Sequence, residues 1–232
     1  MKNSKFCVIG LGYFGFNLAL YLTEQGAEVI AIDNKEERTD LLKDRVAVPV
    51  TADATDFKTL KNLGVAEMDA VIVAIGEGFE ASINTLYNLQ ELGVKKIFAR
   101  VISPIHERLV KLMNIQEILL PEAEAAKHLA NRLIIPDLID FIELDNHFGI
   151  FETAAPDDFI GQTLTQVNLR KNYNLNLVTI KKDSKKGIFG KHEWGSIIGI
   201  PNPEYVFNNK DVLVLFGSKN DIEKFLQGKK KD

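Results

Sequence analysis

The sequence predicts an α/β protein: a Rossmann-like doubly wound parallel sheet of six strands, followed by a smaller α+β domain. Three observations carry that prediction. Phe6-Cys7-Val8-Ile9-Gly10-Leu11-Gly12-Tyr13-Phe14-Gly15 runs an apolar strand through a glycine turn into a helical period. Strand-length apolar runs then alternate with helix-period segments as far as residue 135. Beyond Pro136 that alternation stops and strand-like runs dominate.

Each glycine of the opening turn has a mechanical reading. Gly10 permits the tight exit from the strand, Gly12 lets a phosphate approach the backbone, and Gly15 lets the helix pack against the strand. The helix carries its apolar period at Phe14, Leu18, Tyr21 and Leu22, and its unpaired N–H groups point at the phosphate position. The second strand, Glu28 to Ile32, ends at Asp33, 21 residues past Gly12. A carboxylate there accepts hydrogen bonds from ribose hydroxyls and repels a 2′-phosphate.

Lys35 to Leu42 reads as a short polar-faced helix, and Arg45 to Val50 as a third strand whose Pro49 marks an edge position or the strand's end. The turn Thr51 to Asp56 precedes a helix over Phe57 to Leu63. Asp53 in that turn either reaches the adenosine or, with Thr55, caps the next helix. Asp69 to Gly76 is the fourth strand, apolar enough to be covered on both faces. A helix with apolar Phe79, Ile83, Leu86, Leu89 and Leu92 follows it. Lys95 to Val101 is the fifth strand, placing Arg100 at the edge of the sheet where ligands bind. Pro104 opens a helix to Met113, Ile115 to Leu120 is the sixth strand, and Pro121 leads into a helix over Glu122 to Leu133. The first domain is therefore 1–135. Residues 136–145, after the break at Pro136, read as a short amphipathic helix or connector carrying Leu138, Ile139 and Phe141. The second domain is 146–232, with strands at Phe148 to Thr153, Asn176 to Lys181 and Asp211 to Phe216. Helical patterns lie at Thr163 to Leu169 and Asn220 to Leu226, and a polar, glycine-rich loop spans Lys182 to Asn202 with Trp194 inside it.

Net charge of −4 excludes a general basic field for nucleic acid, although the region from Lys171 onward holds 12 lysines against 7 acids. Cys7 is the only cysteine, so neither an internal disulfide nor a cysteine metal cluster is expected. No apolar run reaches the length of a membrane span, and a cytosolic protein is expected. Catalytic machinery is not legible. His106, His128, His147 and His192 show no recognisable pairing and read as surface or capping residues. Zinc signatures, a nucleophile elbow and a Walker loop are all missing. Sensing is expected rather than turnover.

The whole chain resembles the cytosolic regulatory subunits of Trk/Ktr-type potassium transporters, built from an N-terminal and a C-terminal RCK (regulator of potassium conductance) subdomain. Gly10 to Gly15 is similar to the family's GxGxxG opening, Asp53-Ala54-Thr55 to its "GDAT" turn with Ala52 in place of glycine, and Val71 to Gly76 to its fourth strand. Phe159 to Leu164 resembles the family's "xxGxxL" run, and Pro201-Asn202-Pro203 with Asp211 to Gly217 its closing motif. The resemblance implies an adenine nucleotide, NAD(H), ATP/ADP or AMP, at the first domain. Gly10, Gly12, Tyr13, Phe14 and Gly15 would cradle phosphate, Asp33 and Asn34 would hold the ribose, and Asp53, Ala54 and Thr55 would sit by the adenosine. Ala74, Ile75 and Gly76 would close the fourth-strand side, and Arg100 would meet phosphates. Glu122 matches a carboxylate that coordinates a divalent cation, Mg or Ca, between subunits in some members. In other members the second domain binds cyclic di-AMP.

The resemblance further implies dimers that assemble into a ring, commonly an octamer, on a potassium-translocating membrane subunit at the inner face of the membrane, with no nucleic acid partner. Tyr13 stands where ATP-responsive relatives often carry arginine, which moves the expectation from ATP towards NAD(H), ADP or AMP. Rival readings are an RCK regulator of another channel or antiporter, a small NAD-dependent oxidoreductase, and a redox-sensing transcription regulator. The last would need a basic recognition helix that neither end offers.

Overall fold

A computed structural model describes residues 4–115, 117–135, 137–182 and 196–228. The chain divides into two compact units, Met1–Ala125 and Ala126–Asp232. The first carries six parallel strands: β1 (Lys5–Ile9), β2 (Glu28–Asp33), β3 (Val48–Thr51), β4 (Ala70–Val73), β5 (Ile97–Arg100) and β6 (Glu117–Leu119). Their spatial order is β3-β2-β1-β4-β5-β6, so the connection from β3 to β4 crosses the sheet and the order reverses between β1 and β4. Ligand crevices of such sheets open at that reversal, beyond the carboxyl ends of the strands. β3 is indeed an edge strand, where Pro49 costs no ladder hydrogen bond on its outer side.

The helices of this unit are α1 (Tyr13–Glu24), α2 (Glu36–Asp40), α3 (Phe57–Asn62), α4 (Phe79–Glu91) and α5 (Pro104–Leu112). Successive residues of β1 serve opposite faces. Cys7 and Ile9 pack with Val71, Val73, Leu86, Leu89 and Val110, while Val8 packs with Leu11, Ala19, Val29 and Ala31. Burial pushes the Cys7 thiol up to about 12, as fits a small core residue. Along α1 the buried residues are Gly15 and Ala19, with Phe14, Leu18 and Leu22 partly buried. Tyr21, expected on the apolar face, is exposed, since it lies to one side of the face that Gly15 and Ala19 bury. The helix α6 (Pro121–Ile134) begins in the first unit and ends in the second, and none of its residues is buried.

The second unit holds an antiparallel sheet in the order β7-β8-β10-β9, made of β7 (Leu138–Glu143), β8 (Phe148–Ala154), β9 (Asn176–Lys182) and β10 (Asp211–Ser218). The segment expected as a short helix or connector is therefore the strand β7. A register irregularity between Leu138 and Asp140 brings Leu138 and Phe141 to the same core, and their spacing of three mimics a helical face. The helical run expected over Thr163 to Leu169 is split into α7 (Leu164–Val167) and α8 (Leu169–Tyr173). Asn168 between them adopts the left-handed conformation at φ 47°, which ends one helix and starts the next. α9 (Lys219–Leu226) closes the unit over a core rich in Phe151, Phe159, Phe207 and Phe225. Pro136, His192 and Trp194 lie outside the described residues.

Candidate functional site

The glycine turn is built by steric exclusion. Gly10 has φ +92°, and a Cβ there would come within 2.9 Å of the Ile75 backbone nitrogen. A Cβ on Gly15 would lie 1.9 Å from the Gly10 carbonyl oxygen, so helix and turn touch backbone to backbone. Gly12 differs. No atom lies within 4 Å of where its Cβ would be. Packing alone does not require a glycine there, and the space above it opens into a cleft. Gly12 is also the N-cap of α1, with no side chain capping the helix, so its first N–H groups are left for an outside acceptor.

The cleft measures about 510 Å³ and lies across the reversal of strand order. Its lining brings together twelve of the residues picked out from sequence: Gly10, Gly12, Tyr13, Asp33, Asn34, Asp53, Ala54, Thr55, Ala74, Ile75, Gly76 and Arg100. Phe14, Gly15 and Glu122 are not in the lining. Phe14 instead lies under the Arg100 guanidinium, 5.9 Å from ring centre to Cζ. Gly15 serves packing. Glu122 forms an ion pair with Arg100, which also reaches the Ala74 carbonyl at 3.4 Å. Among the described residues no group of three or more His, Cys, Asp or Glu side chains is placed to hold a metal ion.

Asp33 is 4% exposed. Its Oδ2 accepts from the Leu11 backbone N–H at 2.7 Å and from Arg38 Nη1 at 3.2 Å, and its Oδ1 accepts from the Lys35 N–H at 2.9 Å. The carboxylate thus ties β2 to the glycine turn. Asp53 accepts at Oδ1 from both the N–H and the hydroxyl of Thr55, which folds the adjoining turn back on itself. The cap of α3 is Asp56, bonded to the N–H groups of Lys58 and Thr59, so neither Asp53 nor Thr55 does that work. From α4, Thr85 donates to the Ala54 carbonyl at 3.3 Å and Asn88 to the Thr55 carbonyl at 2.8 Å, fixing the turn against the helix. Sequence reasoning missed Lys35, Arg38, Glu77 and Thr85, all of which line the cleft. Lys35 and Arg38 were legible as the charged residues just after the acid ending β2, whereas Thr85 reaches the site only through tertiary packing.

Of the described histidines, two depart from the surface or capping role expected. His106 is fully buried, edge-on to Phe79 at 5.4 Å, and burial lowers its pKa, favouring the neutral ring. His128 lies 3.0 Å from Asp140 and stacks on Phe141, a pairing the sequence did not reveal, and both are remote in sequence from any residue of the cleft. His147 is exposed at the start of β8. Among the described residues no histidine lines the cleft. No helix among the described residues is long and apolar enough to cross a membrane.

Comparison with known proteins gives the same picture along the whole chain. The TrkA-N domain family matches residues 6–121 and the TrkA-C domain family residues 150–227. Ktr system potassium uptake protein C of Bacillus subtilis is 35% identical over 221 residues, 95% of either chain. Ktr system potassium uptake protein A of the same organism is 30% identical over 225 residues, 97% of this chain and 96% of the relative. Among solved structures, the GsuK RCK domain superposes with a TM-score of 0.63 at 18% identity, over 100% of this chain and 49% of the other. The GsuK channel bound to NAD gives 0.61 at 18% identity, over 100% and 40%. At that identity the likeness concerns the fold, and this chain spans about half the length of the first or less.

Proposed function

The chain belongs to the family of TrkA-N and TrkA-C domain proteins that includes the Ktr system potassium uptake proteins, and on that premise we propose that it is a nucleotide-sensing regulatory subunit of a potassium uptake system. The observation that carries the reading is the cleft at Gly12: open space above an uncapped twelve-residue helix, with a buried acid at the end of the neighbouring strand. An adenine nucleotide fits that arrangement. Gly10, Gly12 and the first N–H groups of α1 bind its phosphates, Asp33 and Asn34 its ribose, and Asp53, Ala54 and Thr55 its adenosine. Ala74, Ile75 and Gly76 flank it, and Arg100 meets phosphate. Tyr13, 92% exposed at the rim, offers a hydroxyl but no charge. The ligand is therefore NAD(H), ADP or AMP in preference to ATP.

In this reading the nucleotide domain is the region up to about residue 135, and the second domain is the remainder of the chain, with β7 part of it. The protein forms dimers that assemble into a ring on the cytoplasmic face of a potassium-translocating membrane subunit. Glu122 contributes to a divalent cation, Mg or Ca, between subunits, and the second domain takes cyclic di-AMP. The chain regulates rather than turns over a substrate, a reading supported by its likeness to the Ktr system potassium uptake proteins. Nucleotides control the partner only if they bind two ring shapes with different affinity, since equal affinity shifts neither population. Service to another cation channel is the second reading, supported by the likeness in fold to GsuK.

Native mass spectrometry of the purified protein, alone and with ATP, ADP, AMP, NAD⁺, NADH or cyclic di-AMP, tests the proposal. A ring-sized oligomer carrying adenine nucleotide is expected. A monomer or simple dimer holding only NAD(H) would instead turn attention to an oxidoreductase.

A further inference from the structure

The ribose end of the cleft carries more charge than one acid. Asp33 Oδ2 already accepts two hydrogen bonds, from Leu11 N–H and Arg38, and Oδ1 accepts one from Lys35 N–H. A carboxylate oxygen has about two lone-pair sites, so only one acceptor position of Asp33 is left for a ribose hydroxyl. The groups that complete this end are donors. The Arg38 side chain, 32% exposed, lines the cleft, and Nη1 is its only atom bonded to Asp33. Lys35 lines the cleft too, and among the described residues its ammonium has no carboxylate partner. Thr39 of α2 holds this segment against β3 through its 2.6 Å contact with the Thr51 hydroxyl. The acids of α2 itself, Glu36, Glu37 and Asp40, are exposed and outside the lining.

Two cations beside a carboxylate with one acceptor position left change what the second ribose oxygen meets. An unpaired acid there repels a 2′-phosphate, whereas a guanidinium beside it offers that phosphate charge-assisted hydrogen bonds. We propose that Arg38 and Lys35 form a phosphate subsite at the ribose 2′ position, so that the cleft accepts 2′-phosphorylated adenine nucleotides, of the class to which NADP(H) belongs, alongside unphosphorylated ones. The proposal deepens the nucleotide reading above and rests on it. It assigns specificity to Arg38, a residue that sequence reasoning passed over, and gives Asp33 one ribose hydroxyl in place of two.

Calorimetric titration of the full chain with AMP and with adenosine 2′,5′-bisphosphate isolates this end, since the two differ by the 2′-phosphate alone. The wild type is expected to bind the bisphosphate at least as tightly as AMP. Arg38→Gln should weaken the bisphosphate at least about tenfold more than it weakens AMP, and Lys35→Gln about threefold more, as expected for loss of charge-assisted bonds. The bisphosphate preference should also shrink as salt is raised. A wild type that binds AMP but takes the bisphosphate tenfold or more weakly overturns the subsite and leaves the nucleotide site standing. Equal loss of both ligands in Arg38→Gln, with Lys35→Gln discriminating against neither, overturns it too, because Arg38 would then only brace Asp33. If AMP, NADH and the bisphosphate all fail to bind, the nucleotide reading itself falls and takes the subsite with it.

Discussion

Asp33 and Asp211 are both buried carboxylates at the ends of strands, 4% and 1% exposed, yet their surroundings differ in kind. Asp211 opens β10 inside a closed polar network. Its Oδ1 accepts from Lys182 Nζ at 2.6 Å, and its Oδ2 from the Tyr205 hydroxyl at 2.8 Å and the Asn208 N–H at 3.0 Å. Every partner is a fixed part of the second unit, and β9, β10 and the segment through Tyr205 are tied together by them. Asp33 has as many donors, but it stands beside a cleft of about 510 Å³. Burial and hydrogen bonding are common to both acids. The cleft beside Asp33, with no counterpart described at Asp211, is what allows the proposed binding role to one acid and leaves the other a structural one.

Removing Asp211 should have the largest effect. Asp211→Ala leaves Lys182, the Tyr205 hydroxyl and the Asn208 N–H without their acceptor, a loss of about 3 kcal/mol of stability. Urea unfolding should show that loss with nucleotide affinity nearly unchanged; a comparable fall in affinity would break the comparison. Asp33→Ala should differ in what it does to binding. AMP binding should weaken by about tenfold or more, as for loss of a charged acceptor, while stability also falls, by about 2 kcal/mol, as the Leu11 and Lys35 N–H groups and Arg38 lose their acceptor. Titration and urea unfolding of the same preparation check both halves, and unchanged affinity would remove Asp33 from the site.

The smallest effect belongs to a third acid, Glu143 on β7, which is neither sealed nor beside the cleft. Hydrogen bonds from Lys127 and Lys219 hold its carboxyl down to about 2 from an ordinary 4.5. A depressed carboxyl stabilises the fold above its unfolded value, and that contribution disappears as pH falls from 4.5 towards 2. Glu143→Gln should flatten the pH dependence of stability in that window alone, and added salt should mute the difference. A steeper slope in the variant would mean that the lysine pairs do not form in solution.

The first sheet was legible because its central strands are apolar on both faces, as in Val71 to Val73, and because glycines at 10, 12 and 15 leave few alternatives to a strand–turn–helix. The twelve lining residues followed from strand ends and from the family's motifs. What stayed hidden depended on three-dimensional accidents. β7 was obscured by a register irregularity that gave Leu138 and Phe141 a helical spacing. Tyr21 fitted the helical period but is exposed, and Thr85 reaches the cleft only because α4 packs against the turn at Ala54. The Asp140 carboxylate meets His128 through folding alone.

Cys7 sits midway along β1, in register with Ile30 on one side and Val71 on the other, and is wholly buried. As the single thiol of the chain, it makes the first sheet its own seal. Its side chain packs on one face of the sheet with Leu86, Leu89 and Val110 of α4 and α5, so an electrophile or oxidant reaches sulfur only when that helix layer lifts, and covalent capture at Cys7 counts openings of the first unit one molecule at a time. The protein therefore carries an internal tally of its own breathing, one that the second unit, which has no cysteine, leaves undisturbed.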